Sequence, residues 1–365
     1  VALSGTPVEN RLGELHSLFE FVNPGLLGTR KQFARMFEQP LKRAEEEGRE
    51  MPAPVLQRLN AVVAPFMLRR VKTDPTIAPD LPDKLELTHV VALTPAQSRL
   101  YAAVAEEGLA KIHDSGGFGE DGCIEDVDPA QLDGCDPASL DAGGAAGAEA
   151  AQDLASKARG RMQRQGRILA IMHGLQQVCN HPAAVPDHSW PSGGALARGS
   201  PDFGPQAKNS GKAARLLELL EEILEPPREK VLIFTQYMAT LELLAALVEA
   251  TFPSVRVQTF RGELDRKARD AAVLAFTEDP ACAVMVVSLQ AGGLGLTLTA
   301  ATHVVHFDRC WNPAREAQAT DRAHRLGQRR TVVVHRLLTS GTLEERLAAA
   351  LSRKRRLAAA ATPAL

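Results

Sequence analysis

KVLIFTQ (Lys230–Gln236) is an apolar run of strand length that ends on two polar side chains, Thr235 and Gln236. Four more such runs follow: VRVQTF (Val255–Phe260), AVMVVSL (Ala283–Leu289), THVVHFD (Thr302–Asp308) and TVVVHRLL (Thr331–Leu338). Helical segments alternate with them. Strands that are apolar on both faces must be covered on both faces, and parallel strands need crossovers that helices supply. From Lys212 onward the pattern therefore predicts an α/β unit: a parallel sheet with helices on both faces. Ligands of such sheets bind outside the carboxyl ends of the strands. The loops that carry the candidate chemistry fall there.

The chain before this unit reads differently. Residues 11 to about 110 are mostly helical in pattern, and ELHSLFEFV places Leu15, Leu18, Phe19 and Val22 on one face. The proline-rich APDLPDKLELTHVVAL reads as extended chain near Leu85–Leu93, and Thr94 with Pro95 then supplies an N-cap and first-turn pair for another helix. A helix through RILAIMHGLQQVCNHP stops at Pro182, and the Gly/Pro/Ser-rich stretch Pro186–Asn209 reads as a mobile loop. Near the other end, Thr342 and Glu345 have capping-box spacing, and the helix they start carries a basic run, Arg353–Arg356.

Of the 365 residues 45% are hydrophobic, enough for a sizeable core. No apolar run approaches the ~18 residues of a membrane span, and no basic start followed by an apolar stretch marks a signal peptide. The first residue is Val1 rather than Met, so the sequence reads as a fragment. Five cysteines without a CxxC pair suit a reducing compartment, with neither a disulfide framework nor a zinc cage. Cys179 and His181 lack a second pair at ligand spacing, and His303 and His306 project to opposite faces of one strand, so no metal site is expected.

The net charge of −2 hides a segregation. Residues 114–153 hold eleven acids and no Lys or Arg, and without those acids the formal charge is +9. The acidic segment is rich in Gly, Ala and Asp, too poor in large apolar groups to offset its ordering entropy, and is expected to be disordered. The basic remainder is compatible with phosphate binding.

The chemistry concentrates after Asn312, which can cap a helix beginning at Pro313. Gln318, Arg322 and Arg325 then fall at i, i+4 and i+7 on one helix face, and Gly327 stands where that helix would stop. Two guanidiniums on one rigid face can reach a polyphosphate together, because each stays charged and donates bidentately to phosphate oxygens. An ordinary solvated basic helix would look the same in isolation.

The wider stretch SLQAGGLGLTLTAATHVVHFDRCWNPAREAQATDRAHRLGQ (Ser288–Gln328) resembles the two most diagnostic C-terminal motifs of the Swi/Snf-type DNA-translocating ATPases of helicase superfamily two. KVLIFTQYMATLELL (Lys230–Leu244), FRG (Phe260–Gly262), LSGTPVEN (Leu3–Asn10), PFMLRRVKTD (Pro65–Asp74), LPDKLE (Leu81–Glu86) and LQQVCNHP (Leu175–Pro182) resemble further segments of that family. The match covers nearly the whole chain apart from 114–153 and about 186–208. It departs at Thr297, where the family commonly has Asn, and at Cys310, before WNP.

The resemblance implies a RecA-like lobe preceded by a mostly helical protrusion region. Residues 1–10 would end a first RecA-like lobe and 11–84 form its protrusion. Residues 85–211 would hold the inter-lobe crossing and a second protrusion, with the acidic insert 114–153 and the loop 186–209. Residues 212–341 would be the second lobe and 342–365 a bracing helix. It further implies Arg322 and Arg325 as arginine fingers, supported at the ATP site by Gln318, Gly293 and Gly295. Ser4 and Thr6 would couple the lobes. Thr235, Gln236, Arg261, Gln290, Ala291, Gly292, Trp311 and Asn312 would line a duplex DNA track. ATP and Mg²⁺ are the implied cofactors. Double-stranded DNA is the implied partner, with RNA polymerase or another DNA-bound protein as its target, in a cytoplasmic, nucleoid-associated setting. The alanine- and arginine-rich composition suits a bacterial source.

No G-x-x-x-x-G-K-[ST] occurs, since Gly211–Lys212 precedes Ala213, and no Asp-Glu dipeptide offers an acidic box. The expectation is that this polypeptide completes an ATP site without holding the nucleotide, and does not hydrolyse ATP alone. The alternative reading is a non-enzymatic DNA- or protein-binding module derived from a helicase lobe.

Overall fold

A computed structural model describes residues 1–365 except 5–6, 9–10, 48, 50–51, 71, 73–75, 114–163, 193–195, 292–294 and 362–365. The acidic insert lies outside the described residues.

Helices α1 (Leu12–Val22), α2 (Arg30–Phe33), α3 (Gln39–Glu46) and α4 (Ala53–Val63) precede strand β1 (Lys84–Val91). Helices α5 (Pro95–His113) and α6 (164–180) lead to the alternating unit: α7 (Gly211–Leu224), β2 (Val231–Thr235), α8 (Met238–Thr251), β3 (Val257–Phe260) and α9 (Arg266–Glu278). Then come β4 (Val284–Ser288), β5 (His303–His306), α10 (Pro313–Thr320), β6 (Val332–Thr339) and α11 (Leu343–Ala361). The strands form one six-stranded sheet in the order β1-β6-β5-β2-β4-β3, with every pairing parallel.

Strand alternation divides the core. Val231 and Ile233 point to the face covered by Leu216, Leu219 and Leu220 of α7 and Leu241, Leu244 and Val248 of α8. Leu232 and Phe234 point to the other face, against Phe276 of α9 and Ala319 of α10. The doubly covered parallel sheet expected from the apolar runs is thus present, because each central strand is buried on both sides. A separate helical core gathers Leu15, Phe19, Phe33, Phe37, Leu59 and Val63 at the start of the chain.

Three local features differ from the sequence reading. The extended crossing segment is not a free connector: it is β1, the edge strand hydrogen-bonded to β6 along its length. The stretch 186–209 is a loop as expected, but it is packed. Phe203 is buried and meets the Trp190 ring edge-on at 5.3 Å, and Arg198 donates to the Val185 carbonyl at 2.6 Å. Two aromatics supply the apolar surface that its Gly/Pro/Ser content conceals. The start of α11 is a shifted capping box: Thr342 Oγ1 accepts from the Glu344 amide, and Glu345 accepts from the Gly341 amide.

Candidate functional site

β2 and β5 end side by side, and their carboxyl ends meet at Asp308. This carboxylate is fully buried. It accepts from Thr235 Oγ1 at 2.5 Å, from the Gln236 amide at 3.1 Å, from Gln236 Nε2 at 3.2 Å and from Asn180 Nδ2 of α6 at 3.1 Å. Burial raises the Asp308 pKa, while the Thr235 hydroxyl, the Lys212 ammonium and the Gln236 donors oppose the rise. Gln236 Nε2 also reaches the Arg309 carbonyl at 2.9 Å. Thr235, expected on the DNA track, has its side chain fully buried, with the hydroxyl donating to Asp308.

The loop that follows Asp308 is braced in turn. The Arg309 guanidinium forms two hydrogen bonds with Glu316, at 2.9 and 3.2 Å, and the Cys310 amide donates to the same carboxylate. The Cys310 thiol is pushed up to about 11, mainly by burial, so it packs as a small apolar group. Asn312 caps α10 by accepting from the Ala314 amide at 2.9 Å, as expected with Pro313 in the first turn. Trp311 is half-buried, with its indole N–H lacking a partner. Gln290 is exposed at the end of β4, whereas Ala291 beside it is buried, which removes its side chain from the surface. Arg261, after β3, pairs with Glu242 at 3.0 Å. Gly292 and Gly293 lie outside the described residues, as does Thr6; Ser4 is exposed.

The arginine segment is not one continuous helix. α10 ends at Thr320, and residues 321–327 form turns, so Arg322 and Arg325 leave the helical face on which Gln318 is exposed. The carbonyls that would continue the helix go to other donors. Arg322 O accepts from the Leu298 amide at 2.9 Å, Ala323 O from Gln328 Nε2 at 3.2 Å, and His324 O from Lys72 Nζ at 3.2 Å. Lys72 also pairs with Asp321 at 2.8 Å, and His324 donates to Pro82 O at 2.8 Å. Gly327 has φ +100°, a left-handed turn position that favours glycine, but it ends this turn and not a helix.

This folding brings Arg322 and Arg325 to the segment Gly295–Leu298. Arg325 Nη1 donates to Thr297 Oγ1 at 3.3 Å, and Gly295, at φ +47°, lies two residues earlier. Arg322 Nε is buried without a hydrogen-bond partner, and the Arg322 pKa is lowered by burial and then by the neighbouring Arg325 charge. Two cations side by side, one with an orphaned donor, form a donor set suited to a phosphate anion.

A model of the SNF2-related domain matches residues 1–184, and one of the helicase conserved C-terminal domain matches residues 211–327. The chain belongs to the SNF2-related family. Within this family it is 35% identical to the putative ATP-dependent helicase/translocase YwqA of Bacillus subtilis, over 98% of this chain and 32% of that protein. It is 31% identical to the human TATA-binding protein-associated factor 172, over 95% of this chain and 18% of the relative. The chain thus spans a third or less of these curated relatives. Among solved structures it resembles the Sulfolobus solfataricus SWI2/SNF2 ATPase core in complex with double-stranded DNA, with TM-score 0.53 and 33% identity, over 98% of this chain and 61% of the other. The RecA-like α/β fold is shared with the isolated core domain from the same organism, at TM-score 0.53 and 32% identity.

Sequence reasoning missed Asp308, Asn180, Gln176, Lys212 and Glu344, the buried polar groups behind the SNF2-family loops. An acid directly following the apolar run HVVHF was the one available signal.

Proposed function

We propose that this chain is the C-terminal part of an ATP-driven double-stranded DNA translocase, supplying arginine fingers and half of the DNA track. The observation that carries the reading is the pairing of Arg322, with its buried unpartnered Nε, and Arg325 on a turn bonded to Thr297, two residues after Gly295. Bound ATP·Mg²⁺ would supply the transferable phosphoryl group. Arg322 and Arg325 would offset charge on its γ-phosphate, with Gln318, Gly293 and Gly295 in support. Arginine fingers of this kind contribute roughly 10³–10⁵ in rate. Gln236, Arg261, Gln290, Gly292, Trp311 and Asn312 belong to the DNA-facing loops of this reading, and Ser4 and Thr6 to the coupling between lobes. A DNA-bound protein such as RNA polymerase is the target of the movement, in a cytoplasmic, nucleoid-associated setting. Among the described residues no helix is long and apolar enough to cross a membrane.

The test is phosphate release with and without duplex DNA, from these 365 residues and from the longer protein that contains them. The 365 residues, which hold no G-x-x-x-x-G-K-[ST], should release none. The longer protein should be DNA-stimulated, and Arg322→Ala should lower its rate by roughly 10³ or more. DNA-stimulated release from the 365 residues would refute the division of labour. Duplex binding without hydrolysis by the longer protein would favour a non-enzymatic binding module.

A further inference from the structure

Helix α6 touches both loops proposed to face DNA, through two residues one turn apart. Gln176 Nε2 donates to Arg309 O at 2.6 Å, and Gln176 Oε1 accepts from the Tyr237 hydroxyl at 2.7 Å. Four residues on, Asn180 donates through Nδ2 to Asp308 and accepts through Oδ1 from Lys212 Nζ at 3.2 Å. Positions i and i+4 share one helix face, so α6 presents both amides to the ends of β2 and β5 together. Asn180 is wholly buried and its orientation is dictated at both ends, by a cation on one side and a carboxylate on the other. Burial pushes the Tyr237 hydroxyl pKa up, so it remains a donor; His173, also on α6, approaches the same oxygen at 2.8 Å.

We propose that Asn180 and Asp308 are positioning residues, the joint through which α6 sets the loops at Gln236 and Arg309–Asn312 for contact with duplex DNA. The inference rests on the reading of those loops as part of a DNA track. Its physical basis is that Asp308, at the start of the Arg309–Asn312 loop, gathers donors from the Thr235–Gln236 end of β2 and from α6 around one acceptor. The sheet itself depends on backbone pairing between β2 and β5 that needs none of these side chains. Removing the carboxylate would leave several buried donors facing one another and free the loops, without changing strand register.

Reciprocal exchange provides the test. Asp308→Asn replaces one acceptor oxygen with an NH2 donor that faces the existing donors, and Asn180→Asp places a second carboxylate beside the first. The double variant restores one carboxylate and one amide, with the carboxylate now next to Lys212. Binding of a fluorescent duplex to the 365-residue chain, read by anisotropy over a salt series, should be about tenfold weaker in each single variant. The slope of log affinity against log salt should also be shallower, because fewer phosphates are engaged. The double variant should recover both quantities. If a single variant fails to fold, Gln176→Met decides: it spares Asp308 and Asn180, removes the Gln176 bonds to Arg309 O and Tyr237 while His173 keeps its contact with Tyr237, and should also weaken binding and flatten the slope. Wild-type affinity and slope in the folded variants would overturn the joint while leaving the DNA reading intact, as would losses that follow unfolding and are not rescued by the exchange. A wild-type chain without salt-sensitive duplex affinity would overturn the DNA reading, and the joint with it.

Discussion

Arg325 Nη1 donates to Thr297 Oγ1 across 3.3 Å, and the Leu298 amide next to it donates to Arg322 O at 2.9 Å. Thr297 and its neighbour thus hold both arginine residues of the turn, one by side chain and one by backbone. Thr297 and Arg325 are exposed, so the bond contributes little to folding. Thr297→Val should change the unfolding free energy by less than about 0.5 kcal/mol. Under the proposed function it should nevertheless lower ATP hydrolysis by a protein that joins this chain to a nucleotide-holding lobe several-fold, while Thr297→Asn, which keeps an acceptor, retains most of it. Parallel thermal melts and phosphate-release rates would separate the two effects.

Lys212 and Glu344 form a completely buried ion pair at 2.5 Å, joining α7 to the first turn of α11. Glu344 Oε2 also accepts from the Thr339 amide, and Lys212 lies over the Phe307 ring. Deleting one partner strands the other charge. Lys212→Met should destabilise the chain by about 3–5 kcal/mol in urea unfolding. Combining it with Glu344→Gln should recover much of that loss, since neither charge is then left alone. Equal destabilisation by the single and double variants would contradict this account.

Three histidines form a ladder across β1, β6 and β5. His89 Nε2 meets His335 Nδ1 at 3.0 Å, His335 Nε2 meets His303 Nδ1 at 3.0 Å, and His303 Nε2 meets Glu229 at 3.0 Å. With Glu229 as acceptor, one neutral tautomer runs throughout: each ring donates from Nε2 and accepts at Nδ1. Burial is the leading cause that lowers all three pKa values, His335 to about 4 with help from its histidine neighbours and Arg215. A lowered histidine pKa means that the unfolded chain binds more protons. The stabilising contribution is complete above about pH 6.5 and is lost as pH falls toward 4. The unfolding free energy should drop by as much as about 3 kcal/mol across that interval, and His335→Gln should flatten the profile.

Gln328 holds the arginine turn from below. Its Nε2 lies within 3.0, 2.9 and 3.2 Å of the carbonyls of Thr299, Ala301 and Ala323, and its Oε1 accepts from the amides of Arg329 and Arg330. Gln328→Ala leaves buried carbonyls without donors and should cost about 2–3 kcal/mol. Hydrogen exchange should rise first in residues 321–330 if the turn loosens locally, rather than across the sheet.

The five apolar runs and their helical intervals were enough for the sheet, because burial on both faces leaves a compositional record in each strand. β1 was harder to read. Its side chains are largely exposed, so LELTHVV resembles any extended segment, and only pairing with β6 makes it part of the sheet. Trp190 and Phe203 anchor the loop after α6, where local Gly/Pro/Ser content pointed to mobility.

At the candidate site, residue chemistry selected Arg322 and Arg325, and the Asn312–Pro313 helix start was legible because capping is a local interaction. The end of α10 was not. Helical spacing placed both arginines on one face, but Leu298, Gln328 and Lys72, all distant in sequence or outside the helix, take the carbonyls that would have continued it. Asp308 shows the same division. The sequence alone determined that an acid follows a buried strand. Only the tertiary structure decided that Thr235, Gln236 and Asn180, from separate parts of the chain, converge on it. Periodicity and caps arise between near neighbours, whereas a buried polar group must find partners wherever the fold brings donors within about 3 Å.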